Sequence, residues 1–447
     1  MRNRSFIIKT LCALVATALL APVVIADPAN DLLSRAQAGH ADAQNQLATL
    51  LAEQAGKQQE ALQWFQKAAS QGQVNAEFNL GVLYLQGHLV PRDVAKAENF
   101  FRRAAEHNMA AAQFDLGVMH DQGLLGSRDP QKARQWYEKA ALQGYALAQN
   151  NLGIAAEFGL GGERDLSKAQ AWFSKAAYQG LALAQNNLGY LLEHSGRPAD
   201  QATALQWYQK AADQGYAAAE NNLGVAYEYG HGVPADFSHA AFWYTKAALQ
   251  GDRFAQNNLA FLYETGQGAV RDLPEAVQLY RLSAEQGCAE AQNALGYLYE
   301  HGIGVAKDPL KAFDFFQRAS AQNLGAASYH LAVLYRHGTG VAVDLQKAMQ
   351  EYEHAAVEHD PRGLRGLASM YRLGEGVPQS AVKAYALYRA AASEGAPGSQ
   401  FVQHAGQHAE TLAQGMSAEQ KLQAKHLFEQ ISKAAGKLSE LLKDAAG

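Results

Sequence analysis

Residues 216 to 251 read YAAAENNLGVAYEYGHGVPADFSHAAFWYTKAALQG, two helical periodicities parted by a glycine break. Ala219, Leu223, Ala226 and Tyr227 fall on one face of a first helix, the spacing of an amphipathic helix in a core. Gly230 and Gly232 interrupt it, because glycine supplies the backbone freedom an inter-helix turn needs. Asp236 stands before a second periodic run through Ala240, Trp243, Tyr244, Ala247 and Ala248, placed to accept from the first free N–H groups as an N-cap. Gly251 closes the unit.

Outward from this stretch the same unit recurs. An acidic residue stands at Asp93, Asp129, Asp165, Asp200, Asp236, Asp272, Asp308 and Asp344, in steps of 36 residues except one of 35 between Asp165 and Asp200. Ser380, another capping type, takes the next place in the ladder. The closing position holds Gly72, Asn108, Gly144, Gly180, Gly215, Gly251, Gly287, Asn323, His359 and Gly395, mostly types that tolerate the left-handed conformation at a helix end. A fixed period of this length marks a solenoid whose units bury their apolar faces only against neighbours.

Small residues recur for a packing reason. Gly81, Gly117, Gly153, Gly189, Gly224 and Gly296 follow a Leu in the first helix, with Ala260, Ala332 and Ala368 in that place elsewhere. A glycine inside a helix costs up to about 1 kcal/mol relative to alanine, so a close approach by the paired helix is expected there.

The pattern A-x-x-x-L-G-x-x-Y-x-x-G-x-G-V-x-x-D-x-x-K-A-x-x-W/Y/F-x-x-K-A-A-x-x-G closely resembles the Sel1-like repeat, a relative of the tetratricopeptide repeat. The resemblance covers residues 73–395 as nine units, with a degenerate tenth at 41–72 whose inter-helix loop shortens to about AGKQQ. It implies an all-α, right-handed superhelical solenoid of antiparallel helix pairs, and adaptor or scaffold work through the concave face. Residues 27–40 are expected as an N-terminal capping helix and 396–447 as a C-terminal helical cap, because terminal repeats need covering. In the latter, Ser417 with Gln420 forms a capping box, and Leu422, Leu427 and Ile431 form an apolar stripe.

Residues 1–26 read differently. Arg2, Arg4 and Lys9 precede the apolar stretch Leu11 to Leu20, and Val24-Ile25-Ala26 offers small residues before Asp27, the pattern of a secretory signal peptide. Cys12 lacks the small-residue context of a lipoprotein site, so a released, periplasmic or secreted chain is expected, with no later membrane span. Cleavage removes three basic residues and leaves 35 basic against 43 acidic, a net charge of −8, which does not invite nucleic acid. Only Cys288 then remains, so no intrachain disulfide forms. That separates the chain from cysteine-rich Sel1-like relatives, whose suggested action on peptidoglycan or β-lactams is the alternative, enzymatic reading. A non-enzymatic monomer without cofactor or metal is expected.

Catalytic-looking signals fall into the repeat frame. Ser380-Ala381-Val382-Lys383 matches S-x-x-K, yet Ser380 occupies the capping column and Lys383 the K of the K-A pair. The G-x-G segments at Gly230, Gly266, Gly302, Gly338 and Gly374 follow no strand and lack a third glycine, so they read as turns. His404 and His408 sit four apart without a further ligand at a tell-tale spacing, and read as a solvated helix face. Cys288 reads as a buried or idle thiol.

What the frame leaves over is a set of first-helix columns. Two residues before the Leu stand Asn150, Asn186, Asn221, Asn257 and Asn293; one before it stand Asn79, Asn151, Asn187, Asn222 and Asn258. Seven after the first column come Glu157, Glu193, Glu228, Glu264 and Glu300, nearly two turns on and so on the same face. Ile154, Tyr190, Val225, Phe261 and Tyr297 lie between. The resemblance to the tetratricopeptide fold places this stripe in the concave groove. There, Asn amides would pair with an extended peptide backbone, apolar rings would supply buried area, and Glu would select Lys or Arg, giving a basic segment as partner. The Glu column changes sign at Arg336 and Arg372, and Arg365 replaces the Asn of the last repeat, so that end is expected to hold a carboxylate. In the same reading Glu228 is solvated, and its replacement by Ala is nearly neutral.

Overall fold

The computed structural model describes residues 29–433 and 438–444. The segment carrying the secretory-signal reading and Cys12 lies outside the described residues. Among the described residues the chain forms 24 helices and no strand. It divides between Ala219 and Glu220 into two compact units.

In the first unit, helix Ala29–Gln37 lays Leu32 and Ala36 against Ala43, Leu47 and Leu51 of helix Ala41–Ala52. Helix hairpins then follow one another, among them Val74–Gln86 with Val94–Glu106, Ala146–Phe158 with Leu166–Tyr178, and Ala182–Glu193 with Pro198–Ala212. Within the unit, second helices also pack on the next first helix, as Val94–Glu106 does on Ala110–Asp121 and Leu166–Tyr178 on Ala182–Glu193. The second unit repeats the scheme through Arg253–Thr265 with Leu273–Glu285, Ala289–His301 with Pro309–Ser320, Gly325–His337 with Leu345–Val357, and Pro361–Leu373 with Ala381–Glu394. Helices Gln400–Gln414, Ala418–Lys433 and Leu438–Asp444 follow. No helix of the described residues is long and apolar enough to cross a membrane.

Capping explains where the second helices start. Asp93, Asp129, Asp165, Asp236, Asp272, Asp308 and Asp344 each accept the N–H three residues on at 2.9–3.1 Å. Backbone hydrogen bonds from Lys96, Lys132 and Lys168 hold Asp93, Asp129 and Asp165 below the usual carboxylate range. Asp200 departs from this ladder. Its repeat is one residue shorter, the helix starts at Pro198, and Asp200 sits in the first turn paired to Arg197 at 2.6 Å.

The closing column adopts the left-handed conformation where the repeats continue: Asn108, Asn323 and His359 have φ of 61°, 63° and 60°. Gly395 does not, with φ −72° in extended backbone, because the chain leaves the periodic path there.

The first-helix glycines face aromatic rings. A Cβ built on Gly81 would lie 2.7 Å from the Phe101 ring, and one on Gly189 2.8 Å from Tyr208. The close approach expected from the sequence is that of one aromatic residue per hairpin. Tyr208, Tyr244, Tyr280, Tyr352 and Tyr388, with Phe65, Phe101, Phe173 and Phe316, are the largest fully buried side chains.

At the C-terminal end the capping box forms: Ser417 N–H donates to Gln420 Oε1 at 2.9 Å, and Gln420 N–H to Ser417 Oγ at 3.1 Å. The expected stripe is corrected in one place. Leu427 and Ile431 are buried, joined by Leu438 and Leu442, but Leu422 is 70% exposed. Five residues before Leu427, Leu422 falls well off the face that packs.

Candidate functional site

The first-helix columns meet three different fates, which separate framework from candidate surface. The Asn columns become framework. In the first unit Asn187 Nδ2 donates to Asn150 Oδ1 at 2.9 Å, and Asn150 Nδ2 to Asn151 Oδ1 at 3.3 Å. Asn186 Nδ2 donates to Asn187 Oδ1, and Asn79 Nδ2 reaches Asn45 Oδ1 at 3.1 Å. In the second unit Asn258 Nδ2 donates to Asn221 Oδ1 at 3.1 Å and Asn257 Nδ2 to Asn258 Oδ1 at 3.2 Å. These amides link one repeat to the next. Asn150 is 0% exposed, which corrects the expectation that its amide meets a bound peptide; Asn186 and Asn221 are buried as well. Asn257 and Asn293 are half-buried, and Asn293 Oδ1 is enclosed without a partner.

A second amide chain was not read from the sequence. Gln149 Nε2 donates to Ala141 O at 3.1 Å while its Oε1 accepts from Gln179 Nε2 at 2.7 Å. Gln256 with Gln286 and Gln292 with Gln322 repeat the arrangement at 2.9 and 2.8 Å. The signal was present as a Gln three residues before the Leu and another just before the closing Gly or Asn. Buried polar side chains need partners, and repetition lets equivalent residues partner each other.

The Glu column is half committed. Tyr208, Tyr244 and Tyr280 hydroxyls donate to Glu193, Glu228 and Glu264 at 2.8, 2.6 and 2.8 Å. Each bond spans one hairpin and satisfies a phenol that the core has buried. Burial and the adjoining carboxylate raise all three phenol pKa values. Glu157 and Glu300 face hairpins whose buried ring is Phe173 or Phe316, with no hydroxyl to offer. Burial raises the Glu300 pKa, opposed by His301 and Lys307.

The apolar column turns outward along the second unit. Ile154 in the first unit is 4% exposed, and Tyr190 is half-buried with its ring centroid 4.1 Å from that of His194. Phe261 is 44% exposed and Tyr297 39%, the latter 4.2 Å from the His301 ring centroid. Beyond them Arg336 Nε donates to Glu375 at 2.7 Å and its NH2 group to Ser369 Oγ at 3.1 Å. Arg372 is half-buried and its Nε is enclosed without a hydrogen-bond partner.

The catalytic-looking residues take structural places. Ser380 Oγ accepts Lys383 N–H at 3.3 Å as an N-cap, and the Lys383 ammonium lies 5.3 Å from the centre of the Tyr371 ring. Gly230, Gly266, Gly302, Gly338 and Gly374 have φ near +70°, the conformation of helix ends. Cys288 is buried, and desolvation raises its thiol pKa. One constellation was not foreseen: Ser328 Oγ stands 3.2 Å from His354 Nδ1, whose Nε2 lies 3.1 Å from Asn323 Oδ1. Ser320 Oγ joins it, 2.9 Å from Ser328 and 2.8 Å from Glu351. Both serines are sealed in the core, where Ser328 replaces the Gln of the amide chain, so a substrate has no approach to either hydroxyl. No group of three or more metal-ligating side chains occurs among the described residues.

A family model for the Sel1 repeat matches residues 41–73, 74–109, 110–145, 146–181, 182–216, 217–252, 253–288, 289–324, 325–355 and 361–395. Among solved structures, the chain is similar to a protective antigen present in uropathogenic Escherichia coli strains that displays an SLR fold. That likeness is at 29% identity and TM-score 0.56, covering 93% of this chain and 97% of the antigen. A Sel1 repeat protein from Oxalobacter formigenes is 33% identical at TM-score 0.52, over 68% of this chain and 89% of that one. No curated protein matches the chain.

Proposed function

This chain belongs to the Sel1 repeat family, and from that premise we propose that it is a binding scaffold for a protein segment, which it takes on the first-helix face of the second unit. The observation that carries this reading is the pair Phe261 and Tyr297. They stand one repeat apart, both exposed, each three residues before a glutamate of the column, Glu264 and Glu300. Aromatic rings give large contact area at small entropic cost, and neighbouring carboxylates favour Lys or Arg in whatever covers them. The partner is therefore an extended basic segment. The amide ladders serve this function indirectly, by fixing the helices that present the rings.

Peptide display against the purified protein, followed by fluorescence anisotropy of selected peptides, tests the proposal. Selected sequences should carry Lys or Arg next to an apolar residue, and binding should weaken with salt. Replacing Phe261 and Tyr297 together by Ser should lower affinity about ten-fold or more with helicity unchanged, as expected for central anchors. Full affinity in that variant would move the binding surface elsewhere.

The scaffold is proposed to act outside the cytoplasm, periplasmic or secreted. Arg2, Arg4 and Lys9 ahead of an apolar run support export. So does the likeness to a protein described as a protective antigen. Intact mass of chain exported by a bacterial host should start at Asp27 without an acyl group; a retained leader or lipid on Cys12 would refute this placement.

A further inference from the structure

We infer that the C-terminal end of the second unit binds a carboxylate of the partner, between Arg365 and Arg372 on one helix and His404 and His408 on another. The inference rests on the first-helix face being the partner surface.

Arg365 and Arg372 lie seven apart on Pro361–Leu373, nearly two turns, and so share a side of that helix. The Arg365 guanidinium lies 4.9 Å from the centre of the Phe401 ring, and its hydrogen bond goes to the Tyr329 hydroxyl at 3.3 Å. Among the described residues neither arginine has a carboxylate partner. The contrast is local: Arg336 is paired to Glu375 and Arg362 to Asp360 in the same unit. Arg372 meanwhile encloses an Nε with nothing to donate to.

His404 and His408 sit four apart on Gln400–Gln414, both exposed to solvent. The His408 ring lies 5.0 Å from that of Tyr388. Phe401, His404 and His408 stand at intervals of three and four on that helix, so the side that meets the Arg365 guanidinium carries both histidines; desolvation, then the positive charges of Arg372, His404 and Arg365, lower the His408 pKa. His408 also extends the column in steps of 36 residues. Along the second unit that column reads Glu228, Glu264, Glu300, Arg336, Arg372, His408, carboxylates giving way to cations. An extended segment with a basic stretch on Glu264 and Glu300 would bring its other end to these arginines. Guanidinium forks match planar carboxylates through two parallel N–H bonds, which makes a carboxylate the fitting occupant.

Tetraglutamate peptides test this on the full chain, with a free or an amidated C-terminus, beside amidated tetraglutamine and inorganic phosphate. Ring resonances of His404 and His408 are followed by NMR at constant pH. Tetraglutamate with a free C-terminus should shift them saturably, and amidated tetraglutamine, which carries no carboxylate, should not. Equal affinity of the two acidic peptides assigns a side-chain carboxylate, and loss of binding on amidation assigns a chain terminus. Arg365→Gln and Arg372→Gln should each weaken binding about ten-fold with far-UV circular dichroism unchanged, while Arg318→Gln should not. Binding by the Phe261 and Tyr297 double variant should be retained, so the carboxylate site and the aromatic surface fail separately. Absence of saturable shifts at millimolar peptide, wild-type affinity in both arginine variants, or tighter binding of phosphate than of tetraglutamate would overturn the assignment.

Discussion

The hydroxyl of Tyr244, a ring buried in the core of its hairpin, donates to the carboxylate of Glu228 at 2.6 Å. Glu228 is therefore a partner of the core as well as of solvent, and the near-neutral replacement expected of a solvated residue does not follow. Glu228→Ala should cost about 1 to 3 kcal/mol, the penalty for an unsatisfied buried hydroxyl. In a Tyr244→Phe background the same change should cost much less. Urea unfolding of the four proteins in this cycle measures the coupling; additive effects would contradict the link.

Asp115 supplies a pH dependence. It is buried without a partner for Oδ2, and desolvation pushes its pKa up to about 7. The folded value lies above the unfolded one, so the folded state binds more protons, and this group makes stability fall as pH rises from about 4 to 7. Asn occupies the same place at Asn79, Asn151 and Asn187. Asp115→Asn should therefore raise the melting temperature more at pH near 8 than at pH near 4. An equal shift at both would mean that Asp115 does not titrate in this range.

The capping carboxylates Asp129 and Asp308 have the opposite sign. Their folded pKa values are depressed by the backbone N–H groups of Lys132 and Lys311. Their contribution is complete above the unfolded carboxylate value and is lost as pH falls through the lower folded values. Asp308→Ala should lower the melting temperature at neutral pH and make little difference in strong acid, which thermal scans across that range would check.

Leu223 is fully buried. Leu223→Ala should cost about 2 to 5 kcal/mol through lost burial and the cavity left behind. Chemical unfolding monitored by circular dichroism reads this directly.

Cys288 is the one cysteine among the described residues and is buried. The monomer's melting temperature should not respond to reductant, and alkylation should be slow until the repeat opens. Rapid labelling of the native chain would place the thiol at the surface.

The sequence by itself determined the repeat. Glycine breaks, Asp caps and apolar periodicity act within a few residues, so the helices, their starts and most left-handed ends were legible from Asp93 to Gly374. It failed locally at Asp200 and Gly395, where a shortened loop and the end of the periodic path changed the geometry. Only the tertiary structure decided what the polar columns do. Asn150 and Phe261 both lie on first-helix faces, and periodicity puts them on one stripe, yet one is fully buried in an amide ladder and the other is exposed. Whether a side chain meets a neighbouring repeat or solvent depends on how closely successive hairpins pack. That is fixed by contacts between residues some 36 positions apart, which no local pattern encodes.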